Sequence, residues 1–235
     1  MKRFITLAAC LSLTAPAFAQ VEPAQAPDLP IANDASLERS LQDAERDRAA
    51  AKLNDHDSRM ALQHYGSCVA ESSAGEAGRV IAMDFTTPTY RNALKLLSQD
   101  AAKFCADKAF GTGVLRSANL LFAGEVAEAL VEKSGGSVAG QLAKAAAAPA
   151  TTGFALTDKV AICVVRSVPD QVAAVFATER DSAEETAAIT ALSMPVQLCA
   201  KAVQATKPMS ISPAGLRAML ATAAFRSIRS AGTAS

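Results

Sequence analysis

Cys68-Val69-Ala70-Glu71-Ser72 recurs as Cys163-Val164-Val165-Arg166-Ser167, and the offset of 95 between the two runs organises the rest of the chain. At that offset Val80 aligns with Val175, Ala82 with Ala177, Thr87 with Ser182, Leu94 with Ile189, Leu97 with Leu192 and Ser98 with Ser193. The second cysteines, Cys105 and Cys199, lie 94 apart, which places a one-residue loss between Ser193 and Cys199. The offset of 95 then returns, pairing Val114 with Met209, Ser117 with Ser212, Leu121 with Leu216, Ala123 with Ala218 and Leu130 with Phe225. Alanine, leucine and serine are common here, so any one match is cheap. Ordered matches at one offset with both cysteines in register are not, and they predict a tandem duplication of a unit of about 95 residues.

Both copies read as short, short, long and medium helices, an all-α fold. Residues 58–72 and 157–167 carry the first cysteines; 75–84 and 169–179 form second short helices, the latter opened by Pro169 at a favourable first-turn position. Thr87 is the expected N-cap of a long helix starting at Pro88, with Tyr90, Leu94, Leu97, Ala101 and Phe104 on one stripe. In the second copy Ser182-Ala183-Glu184-Glu185 reads as a capping box, and Pro195 predicts a kink near the lost residue. The last helices follow Ser117 and Ser212, with stripes Leu121, Val126, Leu130 and Leu216, Leu220, Phe225. Residues 111–115 and 208–211 read as turns leading into short extended pieces.

Around the copies the expected organisation is a signal peptide over 1–19, a flexible tether over 20–34, a charged helix over 35–56, helical repeat one over 57–134, a linker over 135–156, repeat two over 157–230 and a tail over 231–235. Lys2 and Arg3, an apolar run from Phe4 and Ala17-Phe18-Ala19 have the signal-peptidase pattern. Leu7-Ala8-Ala9-Cys10 also matches the lipoprotein pattern, a minor alternative that anchors the chain at Cys10. Residues 20–34 hold three prolines and no apolar period. Residues 35–56 carry only a thin stripe of Leu37, Leu41, Ala44 and Ala51, interrupted by Arg48, and read as a helix leaning on the first copy or as a partner-binding segment.

Removing the signal leaves 21 basic residues against 23 acidic, a net charge of about −2. A nearly neutral chain lacks the electrostatic footprint for nucleic acid or an anionic membrane surface. No segment after the signal reaches the roughly 20 apolar residues of a membrane span. With no tryptophan, two tyrosines and half its residues apolar, the composition favours close-packed helices over a β-sandwich. The expected location is periplasmic or secreted.

Four cysteines remain after cleavage and permit three pairings. The duplication selects Cys68 with Cys105 and Cys163 with Cys199, one bridge inherited by each copy. Closing a loop of about 37 residues stabilises by at most ~3.8 kcal/mol in the chain-entropy account. Neither pair has the Cys-x-x-Cys spacing of a redox catalyst.

Little else carries chemistry, and no catalytic, cofactor or metal-binding residue is expected. His64 and Cys68 share a helix face with ligand-like spacing, but the bridge takes the thiolate a metal needs. Ser137 in Gly135-Gly136-Ser137-Val138-Ala139 misses the nucleophile-elbow pattern, and Gly111-Thr112-Gly113 lacks the third glycine of a dinucleotide site. Glu125 and Glu128 have the spacing of paired carboxylates, but the second copy has Leu220 and Ala223 there, and a solvated helix face is the better reading. The arginines at 79, 91 and 116 and at 166, 180, 217 and 226 occupy no matched positions, so no shared anion site is expected.

The run Cys163-Val164-Val165-Arg166, then Ser182-Ala183-Glu184-Glu185, a second cysteine and an amphipathic last helix resembles a group of small exported helical proteins of alphaproteobacteria. The resemblance covers about three quarters of the chain, departs at Ala70 and Glu71, and implies no activity. The expectation is a non-enzymatic envelope protein that binds another envelope protein or a small apolar ligand. A periplasmic hydrolase with a site between the repeats, or an envelope stress or integrity factor, are the alternatives.

Overall fold

A computed structural model describes residues 56–110, 117–205 and 211–233. In order these form α1 (56–72), α2 (Ala74–Ile81), α3 (Pro88–Phe110), α4 (Asn119–Lys133), α5 (Val138–Ala147), α6 (Leu156–Ser167), α7 (Pro169–Phe176), α8 (Ala183–Ala191), α9 (Ser193–Ala202) and α10 (Pro213–Thr233). Every regular element among the described residues is a helix. The signal segment, Cys10, the tether and the charged helix up to residue 55 lie outside them, as do residues 111–116 and 206–210, where extended pieces were expected.

Local chemistry sets the helix starts. Thr87 Oγ1 accepts the Tyr90 N–H at 3.2 Å and starts α3; Pro169 opens α7. Ser182 Oγ accepts the Glu185 N–H at 3.0 Å, but the return bond of a capping box is displaced by one residue: Glu185 Oε2 accepts from the Asp181 N–H at 2.8 Å. That shift follows from Asp181 lying at φ 59°, which turns its N–H toward the helix. Helix α4 starts one residue later than expected, after Ala118, whereas Ser212 caps α10 through the Gly215 N–H.

Three boundaries differ from the sequence reading. The long helix of the first half, α3, is continuous, but its counterpart breaks at Leu192 into α8 and α9. Pro195 falls in the first turn of α9, where its missing N–H leaves no bond unmade. The linker 135–156 contains α5. Gly135 and Gly136, at φ 88° and 77°, make the turn, Ser137 caps the helix through the Gly140 N–H, and Leu142 and Ala145 are buried beneath α5, which packs on α6, α7 and α10. Finally, α10 continues past 230 to Thr233, because no proline or polar cap intervenes.

The two disulfides form as expected, Cys68 with Cys105 and Cys163 with Cys199, one in each repeat-like half, each with Cα atoms 5.7 Å apart. The first ties α1 to α3 and the second ties α6 to α9. The halves share one core, to which Val69, Leu94 and Val126 of the first and Val164, Leu192 and Leu220 of the second all contribute. Its centre is the crossing of α4 and α10, the most extensive pairing among helices α2–α10.

That crossing depends on a missing side chain. A methyl group on Gly124 would lie 2.4 Å from Ala218 Cβ and 2.5 Å from Ala218 Cα; one on Gly75 of α2 would meet nothing within 4 Å. In a helix an alanine gains up to ~1 kcal/mol over glycine, whereas overpacking against backbone that cannot rotate away costs about 1–3 kcal/mol. Gly75→Ala is therefore expected to raise the thermal midpoint and Gly124→Ala to lower it, and thermal denaturation of the two variants checks the sign at each position.

Candidate functional site

Glu125 and Glu128, expected on a solvated face, instead turn inward and pair with arginines. Glu128 is 1% exposed and Arg217 2%. Arg217 donates Nε and Nη2 to the two Glu128 oxygens at 3.0 and 2.7 Å, and Nη1 to Glu185 Oε1 at 2.9 Å. Its remaining bonds go to Thr178 Oγ1, to the Thr178 carbonyl and to the Phe176 carbonyl. Arg180 reaches Glu125 Oε2 at 2.8 Å and Glu128 Oε1 at 3.0 Å. On the far side Arg59 of α1 holds Glu185 with two bonds of 2.7 and 2.8 Å. Six charges from α1, α4, α8, α10 and the α7–α8 turn thus form one alternating chain, Arg59, Glu185, Arg217, Glu128, Arg180, Glu125.

Burial alone pushes the Glu185 carboxyl up, but the bonds from Arg59, the Asp181 N–H and Arg217 outweigh it and bring it down to about 2. For Arg217, burial works to lower the pKa and the Glu128 and Glu185 carboxylates more than reverse it, so its charge is held firmly. Glu125, at the open end, goes the other way: burial raises it, Arg180 opposes this only in part, and the neighbouring Glu128 charge adds to the rise. Donors and acceptors in this chain are largely spent on each other, which makes it a structural clamp.

The second polar feature borders a cavity. Arg226 of α10 forms a double-bonded pair with Asp158 of α6, both buried, and Asp158 Oδ2 also accepts the Phe154 N–H at 2.8 Å. The guanidinium lies 4.9 Å from the Phe154 ring centre and 6.0 Å from that of Phe85. Against this pair opens a cavity of about 450 Å³ whose walls include Ile81, Phe85, Tyr90, Leu120, Ile211 and Met219, with Arg91, Asn119 and Thr157 as further polar lining. Its volume falls within the roughly 300–1,000 Å³ of small-molecule sites, and its apolar walls with a few polar groups match their usual make-up. Burial pushes the Tyr90 phenol up to about 12, so it stays protonated.

At the 95-residue offset, the cavity residues Ile81, Phe85 and Tyr90 align with Phe176, Arg180 and Glu185. Of these aligned residues, Arg180 and Glu185 belong to the ion chain. Of the residues singled out from sequence, Cys68, Cys105, Cys163 and Cys199 are joined in their bridges, His64 is exposed on α1, and Ser137 is a helix cap. Asp158, and the pairing of Arg217 and Arg226 with buried carboxylates, have no place in the sequence reading, although Arg217 and Glu128 each interrupt an apolar helical run, a signal of buried charge. Comparisons of the chain with protein-family models, curated proteins and solved structures find no match.

Arg217→Met leaves Glu128 and Glu185 short of a buried partner, and urea denaturation is expected to show a loss of about 3–5 kcal/mol. The pH dependence follows from the two carboxylates. Glu185 is lowered on folding, so its stabilisation is present above its unfolded value near 4.5 and is lost as pH falls toward about 2. Glu125 is raised on folding, so the folded form binds its proton first and stability rises as pH falls from neutral through that range. Glu132, raised on folding by burial and by the Glu128 charge, adds in the same direction; urea midpoints measured from pH 7.5 to 2 are expected to pass through a maximum in mild acid and then fall, and Glu125→Gln is expected to reduce the rise.

Proposed function

We propose that this chain is an exported, non-enzymatic helical protein of the cell envelope that binds a small, largely apolar ligand in the cavity bounded by α2, α3, α4, α6 and α10. The observation that carries the reading is the cavity itself: about 450 Å³, walled chiefly by apolar side chains from both halves and bordered by the buried Arg226–Asp158 pair. Export is supported by the signal-like residues 1–19 and by two disulfides, which persist in oxidising compartments. Among the described residues no helix is long and apolar enough to cross a membrane. A tandem duplication supplies the economy of the design, with one half keeping an open site where the other holds a clamp.

A hydrolase in the same cavity has less support. Asp158 is the one carboxylate in its lining, and its oxygens are taken by Arg226 and the Phe154 N–H. A carboxylate so engaged is a poor general base.

Native mass spectrometry of the mature protein purified from an envelope extract, together with titration by the fluorophore 8-anilinonaphthalene-1-sulfonate, tests the reading. One-to-one occupancy is expected. Met219→Trp fills the cavity from α10, and Leu120→Trp crowds it from an exposed position on α4; both are expected to weaken fluorophore binding at least tenfold with helicity unchanged by circular dichroism. Unaltered binding in both variants, or turnover of an ester panel without stable occupancy, overturns it.

A further inference from the structure

The cavity lining is not electrically neutral. Arg226 and Asp158 cancel one another inside their double-bonded pair, and Arg226 spends its Nε on the Thr222 carbonyl. That leaves Arg91 as the surplus charge of the lining. It is exposed, and it has no ion-pair partner among the described residues. Tyr90, its neighbour in sequence, is 7% exposed and lines the same cavity, yet its hydroxyl has no hydrogen-bond partner among the described residues. An acceptor brought by a ligand would give this hydroxyl a hydrogen-bond partner that the described residues do not supply. Both residues stand in the first turn of α3, a 23-residue helix with no acidic side chain in that turn, so the positive end of the helix dipole adds to the attraction for an anion. Around them Ile81, Phe85, Leu120 and Met219 offer only hydrocarbon and ring surface.

Resting on the reading of this cavity as a ligand site, we propose that it selects single-chain amphiphiles with one anionic head, the head received by Arg91 and the Tyr90 hydroxyl and the chain by Ile81, Phe85, Leu120 and Met219. A carboxylate or sulfate head has the needed chemistry: it accepts from the phenol and pairs with the guanidinium, and charge-assisted bonds of this kind are about twice as strong as neutral ones. A cationic head meets Arg91 with like charge, and a neutral alcohol gains only the phenol.

Calorimetric titration of the disulfide-bonded mature protein with decanoate, decanol and decyltrimethylammonium at pH 7.5 tests the assignment, with chain length held constant. Decanoate is expected to bind about tenfold or more tightly than decanol, with the cation weakest. Arg91→Gln, a change at an exposed position, is expected to remove most of that preference and leave decanol unaltered; Tyr90→Phe is expected to weaken decanoate several-fold. Equal affinity for decanoate and decanol, or a preference that survives Arg91→Gln, overturns the head assignment and leaves the ligand site standing. Failure of all three compounds to bind overturns both. Sedimentation with vesicles of phosphatidylglycerol separates a free amphiphile from a lipid surface: co-sedimentation that Arg91→Gln abolishes, without decanoate binding in solution, also overturns the proposal.

Discussion

The Arg217 guanidinium joins the two halves of the molecule at the point where they are most closely packed. It rises from α10 between Glu128 of α4 and Glu185 of α8, with its N–H groups directed to carboxylates, a hydroxyl and carbonyls. A guanidinium suits this place because its planar fork serves two carboxylates at once and keeps its charge when buried. Burying such a chain contributes little net stability against a well-packed apolar core, but any single break leaves a charge stranded. The consequence is geometric. The α4–α10 crossing, already held close by Gly124 against Ala218, has one register in which every charge is met.

The rest of the architecture is arranged around that crossing. The disulfides tie α1 to α3 and α6 to α9, so the covalent links stabilise within halves and the ion chain links across them. Helix α5 covers the side where α6, α7 and α10 meet, which is why a segment rich in small residues buries Leu142 and Ala145. The cavity lies where the first half has Phe85 and Tyr90 in place of Arg180 and Glu185. At the 95-residue offset an aromatic ring and a phenol stand opposite two members of the ion chain, and the cavity opens beside them.

The candidate site involves residues that do not match at the 95-residue offset. The positions that match at the 95-residue offset are cysteines, caps and core residues, which folding needs. Arg217, Asp158 and Arg226 align at the offset with Phe122, Gln63 and Val131, so nothing in the repeat marks them. Their carboxylate partners lie 32 and 89 residues away for Arg217 and 68 for Arg226, beyond any local pattern. Glu125 and Glu128 misled for the same reason: three apart on a helix they look solvated, and only the arrival of α10 and the α7–α8 turn turns that face inward.

The helical class, the caps at Thr87, Ser182 and Ser212, the place of Pro169 and the pairing of the cysteines were determined by the sequence alone. Each rests on contacts within a turn or on a spacing that occurs twice. The break at Leu192, the helix within residues 135–156, the burial of the ion chain and the existence of the cavity were decided by tertiary structure. Each arises where segments distant in the chain compete for the same volume, and a charge or a void there is set by what packs against it.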